Sequence, residues 1–258
     1  MKLRNLLDLS GKVALITGGS RGLGLQMAEA LGEMGARLAL IARKAEELAQ
    51  ARAHLAGEGI EAYAVVCDIA QAQAVAPMVD RVLGQYGRID ILINNAGTLW
   101  RGPAEDHPPE DWDKVMGLNL TGTFLVSQAV GKRSMIPQRY GRIINVASTL
   151  GLRGNRVGGS KSVAYNTSKG GLLNFTRALA GEWGAYNITV NAIAPGLFPS
   201  RMSESVLGKN ADIVVGLTPS GRLGGEDDLK GLAVLLASDA SRHISGQIIA
   251  VDGGASAV

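Results

Sequence analysis

Val13-Ala14-Leu15-Ile16-Thr17 runs directly into Gly18-Gly19-Ser20-Arg21-Gly22-Leu23-Gly24. A short apolar run meets a turn built from glycines. Apolar residues then recur at helical spacing at Leu23, Met27, Ala30, Leu31 and Met34. In this order, strand, glycine turn and helix let the backbone bend sharply and approach a pyrophosphate, whose charge faces the helix N-terminus. The spacing is Gly18-x-x-x-Gly22-x-Gly24, not G-x-G-x-x-G. A plain turn needing positive φ would also use glycine. The place of this turn, at the first strand-to-helix junction, is what points to a dinucleotide.

Outward from the turn, the same alternation continues. Strand-like runs follow at Arg37–Ala42, Ala62–Cys67, Ile89–Asn94, Arg142–Ala147, Ile188–Ala194 and Gln247–Val251. Helical patterns lie between them at Ala45–Ala56, through Val75, Val79, Val82 and Leu83, and at Trp112–Met135, Val163–Trp183 and Leu229–Ala237. Strands so continuously apolar suit a sheet covered on both faces. Strand–helix alternation suits right-handed crossovers and a parallel sheet. The expectation is an α/β fold: one doubly wound Rossmann domain over residues 1–258, with seven parallel strands and helices on both faces.

The 258 residues include 35 glycines, well above the usual ~7%. They show no Gly-X-Y period, which excludes collagen. One cysteine, Cys67, excludes an internal disulfide framework and a Cys-rich metal site. It fits a reducing, cytoplasmic home. Lys2 and Arg4 precede no apolar core, so no signal peptide is expected. No run approaches the roughly 18 apolar residues of a membrane span. The net charge of +3 is spread along the chain rather than gathered in the stripe that nucleic-acid binding wants. His54, His107 and His243 lack ligand spacing, and no metal is expected.

In NAD-binding folds an acid about 20 residues beyond the turn holds the ribose hydroxyls. Here Ala42 stands in its place and Arg43 follows. A guanidinium pairs with a 2′-phosphate, which a carboxylate would repel. Arg21 can reach the same place. The expected cofactor is NADP(H) rather than NAD(H).

With Asn94-Asn95-Ala96-Gly97 after the fourth strand, Asn119, Ser148, Tyr165-Asn166-Thr167-Ser168-Lys169 and Pro195-Gly196, the chain resembles the short-chain dehydrogenase/reductase family from Thr17 to Val251-Asp252-Gly253-Gly254. The resemblance implies that Gly18, Ser20, Arg21, Gly22, Leu23 and Gly24 wrap the pyrophosphate. It gives Asp68, with Ile69 beside it, to the adenine, and Asn95, Ala96 and Gly97 to the adenosine ribose. Pro195, Gly196 and Phe198 would hold the nicotinamide, with Tyr165 and Lys169 also touching the cofactor. Asn119, Ser148, Tyr165 and Lys169 would form the catalytic set.

The chemistry asks for such a set. Reducing a ketone requires a proton donor and a group that steadies the oxygen as it gains charge. A phenol with a pKa near ~10 is a poor donor at neutral pH. Lys169 lies one helical turn beyond Tyr165 and shares its face. A cation at ~4 Å is worth on the order of 4 kcal/mol to a phenolate at an effective dielectric near 20, which is about three pKa units. Ser148 can hydrogen-bond the developing alkoxide. By resemblance, Asn119 anchors a water leading to Lys169. A degenerate, non-catalytic dinucleotide-binding protein is a further reading, which the intact set opposes.

Ser148 and Tyr165 are seventeen residues apart, several more than is usual for the family, and the extra length falls in Gly154–Ser162. The substrate pocket is expected to include Thr98, Leu99, Trp100, Leu150, Leu152 and Arg153. A lid is expected at about 197–217, carrying Phe198, Met202, Val206, Leu207, Ile213, Val214 and Leu217. The chain most resembles 3-oxoacyl thioester reductases, and Lys132, Arg133, Arg139 and Arg142 could meet an acidic acyl carrier protein. Gly181 stands where carrier-dependent members often have a basic residue, so a CoA thioester or free ketone is the other option. The second enzymatic reading is a polyol or sugar-acid dehydrogenase similar to gluconate 5-dehydrogenases, with Arg153 or Arg201 meeting a carboxylate. Small members of the family assemble as tetramers. Phe124-Leu125-Val126 and Leu172-Leu173 place apolar side chains on more than one helix face, so a homotetramer is expected.

Overall fold

Side chains alternate across the first strand, and the two resulting faces build two separate cores. Ala14 and Ile16 pack with Met27 and Leu31 on one side. Val13 and Leu15 pack with Val79 and Val82 on the other. That period of two is what a strand covered on both faces requires. The computed structural model describes residues 2–155, 159 and 161–258. Seven strands form one parallel sheet: β1 (Val13–Thr17), β2 (Arg37–Ala42), β3 (Ala62–Val66), β4 (Ile91–Asn94), β5 (Gly141–Val146), β6 (Ile188–Pro195) and β7 (Ile248–Val251). Their spatial order is β3-β2-β1-β4-β5-β6-β7. Thr17 aligns with Ile41 on one side and Asn94 on the other. The chain therefore reverses its winding beside β1, and a crevice opens at the carboxyl ends of β1 and β4.

The helices Gly22–Glu33, Ala45–Gly57, Ala72–Tyr86, Val163–Trp183 and Lys230–Ala237 fall where the apolar periodicity placed them. The expected Trp112–Met135 helix is longer and less regular. The helical run spans 109–138, opens with Pro109 in its first turn, and contains two wider turns at Gly117–Gly122 and Gly131–Met135. Gly131 sits under the Trp183 ring, where a Cβ would come within 2.3 Å. Wider turns of this kind recur at functional positions, and the first of them holds Asn119. Short helices at Leu3–Leu7 and Thr149–Leu152 were not expected. They are too short to show a periodicity.

Three of the four cations in the basic cluster before β5 are paired within the fold. Arg142 is 1% exposed. It lies against the Tyr140 ring and donates to Asp239 Oδ1 at 2.9 Å. Arg133 donates to Asp80 at 2.9 Å, and Arg139 to the Ala185 carbonyl at 2.8 Å. These partners lie on other elements, so three of the four cations join parts of the fold together. His107 lies in the loop before the Pro109 helix, its ring 4.0 Å from that of Trp100. No helix among the described residues is long and apolar enough to cross a membrane.

Candidate active site

Strand β5 ends at Val146, and Ser148 follows as the cap of the Thr149–Leu152 helix, its Oγ accepting the Leu150 N–H at 3.1 Å. Tyr165 enters from the first turn of the Val163–Trp183 helix, beside Ser148. Lys169, one turn on, is 4% exposed and donates to the Val146 carbonyl at 2.7 Å. The three side chains thus meet because one strand end and one helix start converge. Asn119 is fully buried beneath them. Its Oδ1 accepts the Thr98 N–H at 2.8 Å, and its Nδ2 donates to the Thr98 carbonyl and to Ser168 Oγ, both at 2.9 Å. Asn119 therefore pins the loop after β4 to the helix that carries Tyr165 and Lys169.

Burial pushes the Tyr165 phenol above its ordinary pKa; the Ser148 hydrogen bond and the Arg101 charge pull the other way. Burial also depresses Lys169 to about 8. The ammonium lies 5.7 Å from the centroid of the Tyr165 ring. Arg101, two residues beyond Leu99, supplies the nearby charge, and the sequence reading gave it no role. Its own pKa is lowered by burial, against a pull from Tyr165.

The glycine turn is set by close approach. Gly18 has φ +64°, and a Cβ there would lie 2.8 Å from Asn95 Nδ2. At Gly24 a Cβ would come within 2.3 Å of the Gly18 carbonyl. Asn95 Nδ2 donates to the Thr17 and Gly18 carbonyls at 3.2 and 3.0 Å, and Thr17 Oγ1 accepts the Asn95 and Ala96 N–H groups. The turn and the β4 loop are thus one hydrogen-bonded unit. Beyond it, Gly22 has φ +54° with open space where a Cβ would point, and the Gly22–Glu33 helix starts with no side-chain cap. Uncapped N–H groups beside open space suit a pyrophosphate.

A single cleft of about 850 Å³ gathers nearly all of the expected residues. Gly18, Ser20, Arg21, Gly22, Leu23, Arg43, Asp68, Ile69, Asn95, Ala96, Gly97, Ser148, Tyr165, Lys169, Pro195, Gly196 and Phe198 line it. Gly24 and Asn119 do not; they act from behind the wall. Arg43 Nη1 lies 4.0 Å from Asp68 Oδ2, so the expected phosphate and adenine residues are neighbours. Phe198 is 5% exposed, and its carbonyl accepts Ser203 Oγ at 2.6 Å.

Residues 12–211 match the family model described as short chain dehydrogenase. The chain belongs to the short-chain dehydrogenase/reductase family. It is 38% identical over 252 residues to gluconate 5-dehydrogenase of Gluconobacter oxydans, covering 97% of this chain and 96% of that one. It is 37% identical to a rhamnolipid-biosynthesis 3-oxoacyl-[acyl-carrier-protein] reductase of Pseudomonas aeruginosa, over 96% and 97% of the two chains. The crystal structure of a gluconate 5-dehydrogenase from Burkholderia cenocepacia, in complex with NADP and tartrate, superposes with a TM-score of 0.94 at 35% identity, covering 100% of both chains.

As a short-chain dehydrogenase/reductase, this chain is an oxidoreductase acting on a small molecule. Within the family frame it has features that motif reading missed. Glu47 joins the cleft among Arg21, Lys44 and Arg201. Arg153 also faces the cleft, and its buried Nε has no hydrogen-bond partner among the described residues. The segment expected as a lid contains a helix, Glu204–Gly216, with Ile213 and Leu217 more than half exposed rather than packed on the core. The Val206 side chain and residues 156–158 and 160 of the longer Ser148–Tyr165 connection lie outside the described residues. The far end of that connection is tied down: the Gly102 N–H donates to the Lys161 carbonyl at 2.9 Å, beside Arg101.

Proposed function

We propose that the chain interconverts a secondary alcohol and a ketone on a polyol or sugar acid, using NADP(H). The observation that carries the substrate class is Arg101, a cation acting on Tyr165 inside the cleft. A carboxylate a few bonds from the reacting carbon would meet it there, and would also supply the missing partner of Arg153 Nε. The similarity to gluconate 5-dehydrogenases supports the same reading. The 3-oxoacyl thioester reading draws on the similarity to a 3-oxoacyl-[acyl-carrier-protein] reductase, while Arg133, Arg139 and Arg142 are already paired within the fold.

A bound dinucleotide would supply or accept the hydride at carbon. Tyr165 then gives its proton to the carbonyl oxygen in reduction, or takes it from the alcohol in oxidation. Ser148, beside Tyr165 in the cleft, steadies the oxygen as charge develops. Lys169, near 8, holds the inner end of the site against the Val146 carbonyl and is poised to pass a proton at mildly alkaline pH. Asn119 keeps Thr98 and Ser168 in place around it. Arg43 and Arg21 favour the 2′-phosphate. Residues 197–217 close over the substrate.

The assembly fits a homotetramer. Phe124 is 43% exposed and stacks edge-on against Phe175, leaving an aromatic face on two helices for a second copy. Light scattering should give a tetramer, and a monomer at micromolar concentration refutes it. A lone, buried Cys67 suits the reducing cytoplasm.

The substrate reading is tested with NADPH and NADH against 5-ketogluconate, acetoacetyl-CoA and a neutral ketone. We expect turnover of the keto acid with NADPH. Arg101→Ala should raise KM for the keto acid about 10- to 100-fold, as loss of a charge-assisted pair requires, and leave the neutral ketone nearly unchanged. Equal losses on both would remove the carboxylate from the argument.

A further inference from the structure

The rim of the cleft where the adenine end of the dinucleotide would lie is built around a carboxylate. Glu47 stands in the first turn of the Ala45–Gly57 helix and is 17% exposed. Its Oε2 lies 3.3 Å from Arg21 Nε and 3.5 Å from Ser20 Oγ. Its Oε1 lies 3.4 Å from Lys44 Nζ and 3.0 Å from Arg201 Nη1. Four donors from three separate segments converge on it: the glycine turn, the β2 end and the stretch that leads into the Glu204–Gly216 helix. All of them line the cleft. This is the coordination an oxyanion takes, here satisfied from within the chain.

Charge balance points the same way. Arg21, Arg43, Lys44 and Arg201 face Glu47 and Asp68, which leaves a surplus of two positive charges. A phosphomonoester carries about −1.5 to −2 near neutral pH. It would neutralise that surplus, but it cannot share Arg21 and Lys44 with Glu47 without two anions in contact. The cations are half exposed or more, so their pairs with Glu47 are weak and exchangeable.

We propose that Glu47 is an internal anion that competes with the 2′-phosphate of the dinucleotide for Arg21 and Lys44, and so sets how strongly the chain prefers the phosphorylated over the unphosphorylated cofactor. The inference rests on the NADP(H) reading above. It adds that Arg43 and Arg21 act against a carboxylate that holds the preference down. It also couples cofactor to lid: Arg201 is tied to Glu47, so an arriving phosphate loosens or replaces the tie that holds the start of the 197–217 segment.

Calorimetric titration tests this without turnover, using 2′,5′-ADP, 5′-ADP and 5′-AMP against the wild-type chain, Glu47→Gln and Glu47→Lys. Removing one like charge at the rim of a partly screened site should tighten 2′,5′-ADP by about 5- to 10-fold. The lysine variant should tighten it further, and 5′-ADP, which lacks the 2′-phosphate, should change less than about twofold. Thermal unfolding checks each variant, and Glu47→Ala replaces the glutamine variant if that one does not fold. Unchanged or weaker binding of 2′,5′-ADP in the neutral variant overturns the proposal, as does equal tightening of 5′-ADP. If the wild-type chain binds 2′,5′-ADP no better than 5′-AMP, the NADP(H) reading itself fails, and that outcome is distinct from the others.

Discussion

The two ends of one cleft are built on opposite principles. The inner end, around Asn119, Ser148, Tyr165 and Lys169, is buried; Asn119, Ser148 and Lys169 each have a specific hydrogen-bond partner, and burial moves both titrating groups, Tyr165 up and Lys169 down. The outer rim, around Arg21, Lys44, Glu47 and Arg201, is charged, half exposed and held by ion pairs. At the inner end a lost partner leaves a buried polar group stranded, which costs about 1–3 kcal/mol. At the rim, water and salt take up most of the loss. On the proposed reading, chemistry sits where geometry is enforced and cofactor choice where charges can exchange.

The contrast is broken most sharply by Tyr165→Phe. Loss of the proton donor should lower kcat by about 10²–10⁴-fold, while titration with NADPH shows affinity changed by no more than about threefold, since the rim is untouched. Retained turnover would remove Tyr165 from the mechanism. Asn119→Ala comes next. It strands the Thr98 N–H, the Thr98 carbonyl and Ser168, so denaturant unfolding should show a loss on the order of 3 kcal/mol. A loss below about 0.5 kcal/mol would place Asn119 with the exchangeable rim residues.

The smallest effect is a slope. Lys169 has a folded pKa depressed to about 8 from 10.5. The unfolded chain therefore binds more protons between those values, and stability rises with pH across the window. The penalty is fully present below pH 8 and is relieved as pH climbs towards 10.5. Between pH 8 and 10 this amounts to about 2 kcal/mol. Lys169→Met should flatten that part of the wild-type stability profile in chemical denaturation. An unchanged slope would mean that the ammonium is not desolvated.

Much of this was legible in the residues. The seven strands, the glycine turn and the shared helix face of Tyr165 and Lys169 follow from local patterns at fixed spacing, while Ser148 joined them through the family resemblance. The Pro109 start and the wider turns of the 109–138 run did not, because the apolar positions continue through them at nearly the same period. Arg142 looked like a surface charge; its partners, Tyr140 and Asp239, include one almost a hundred residues away. Arg101 had no motif to announce it, and its importance comes from Tyr165, sixty-four residues later in the chain.

By itself, the order of residues determined the doubly wound sheet and the side of the sheet that carries the cleft, because backbone periodicity and glycine turns act over a few residues. Only the tertiary structure decided which charges neighbour one another: Arg101 with Tyr165, Arg142 with Asp239, and Glu47 with Arg21, Lys44 and Arg201. Electrostatic energy depends on distance through space and on burial, and neither can be read from position along the chain.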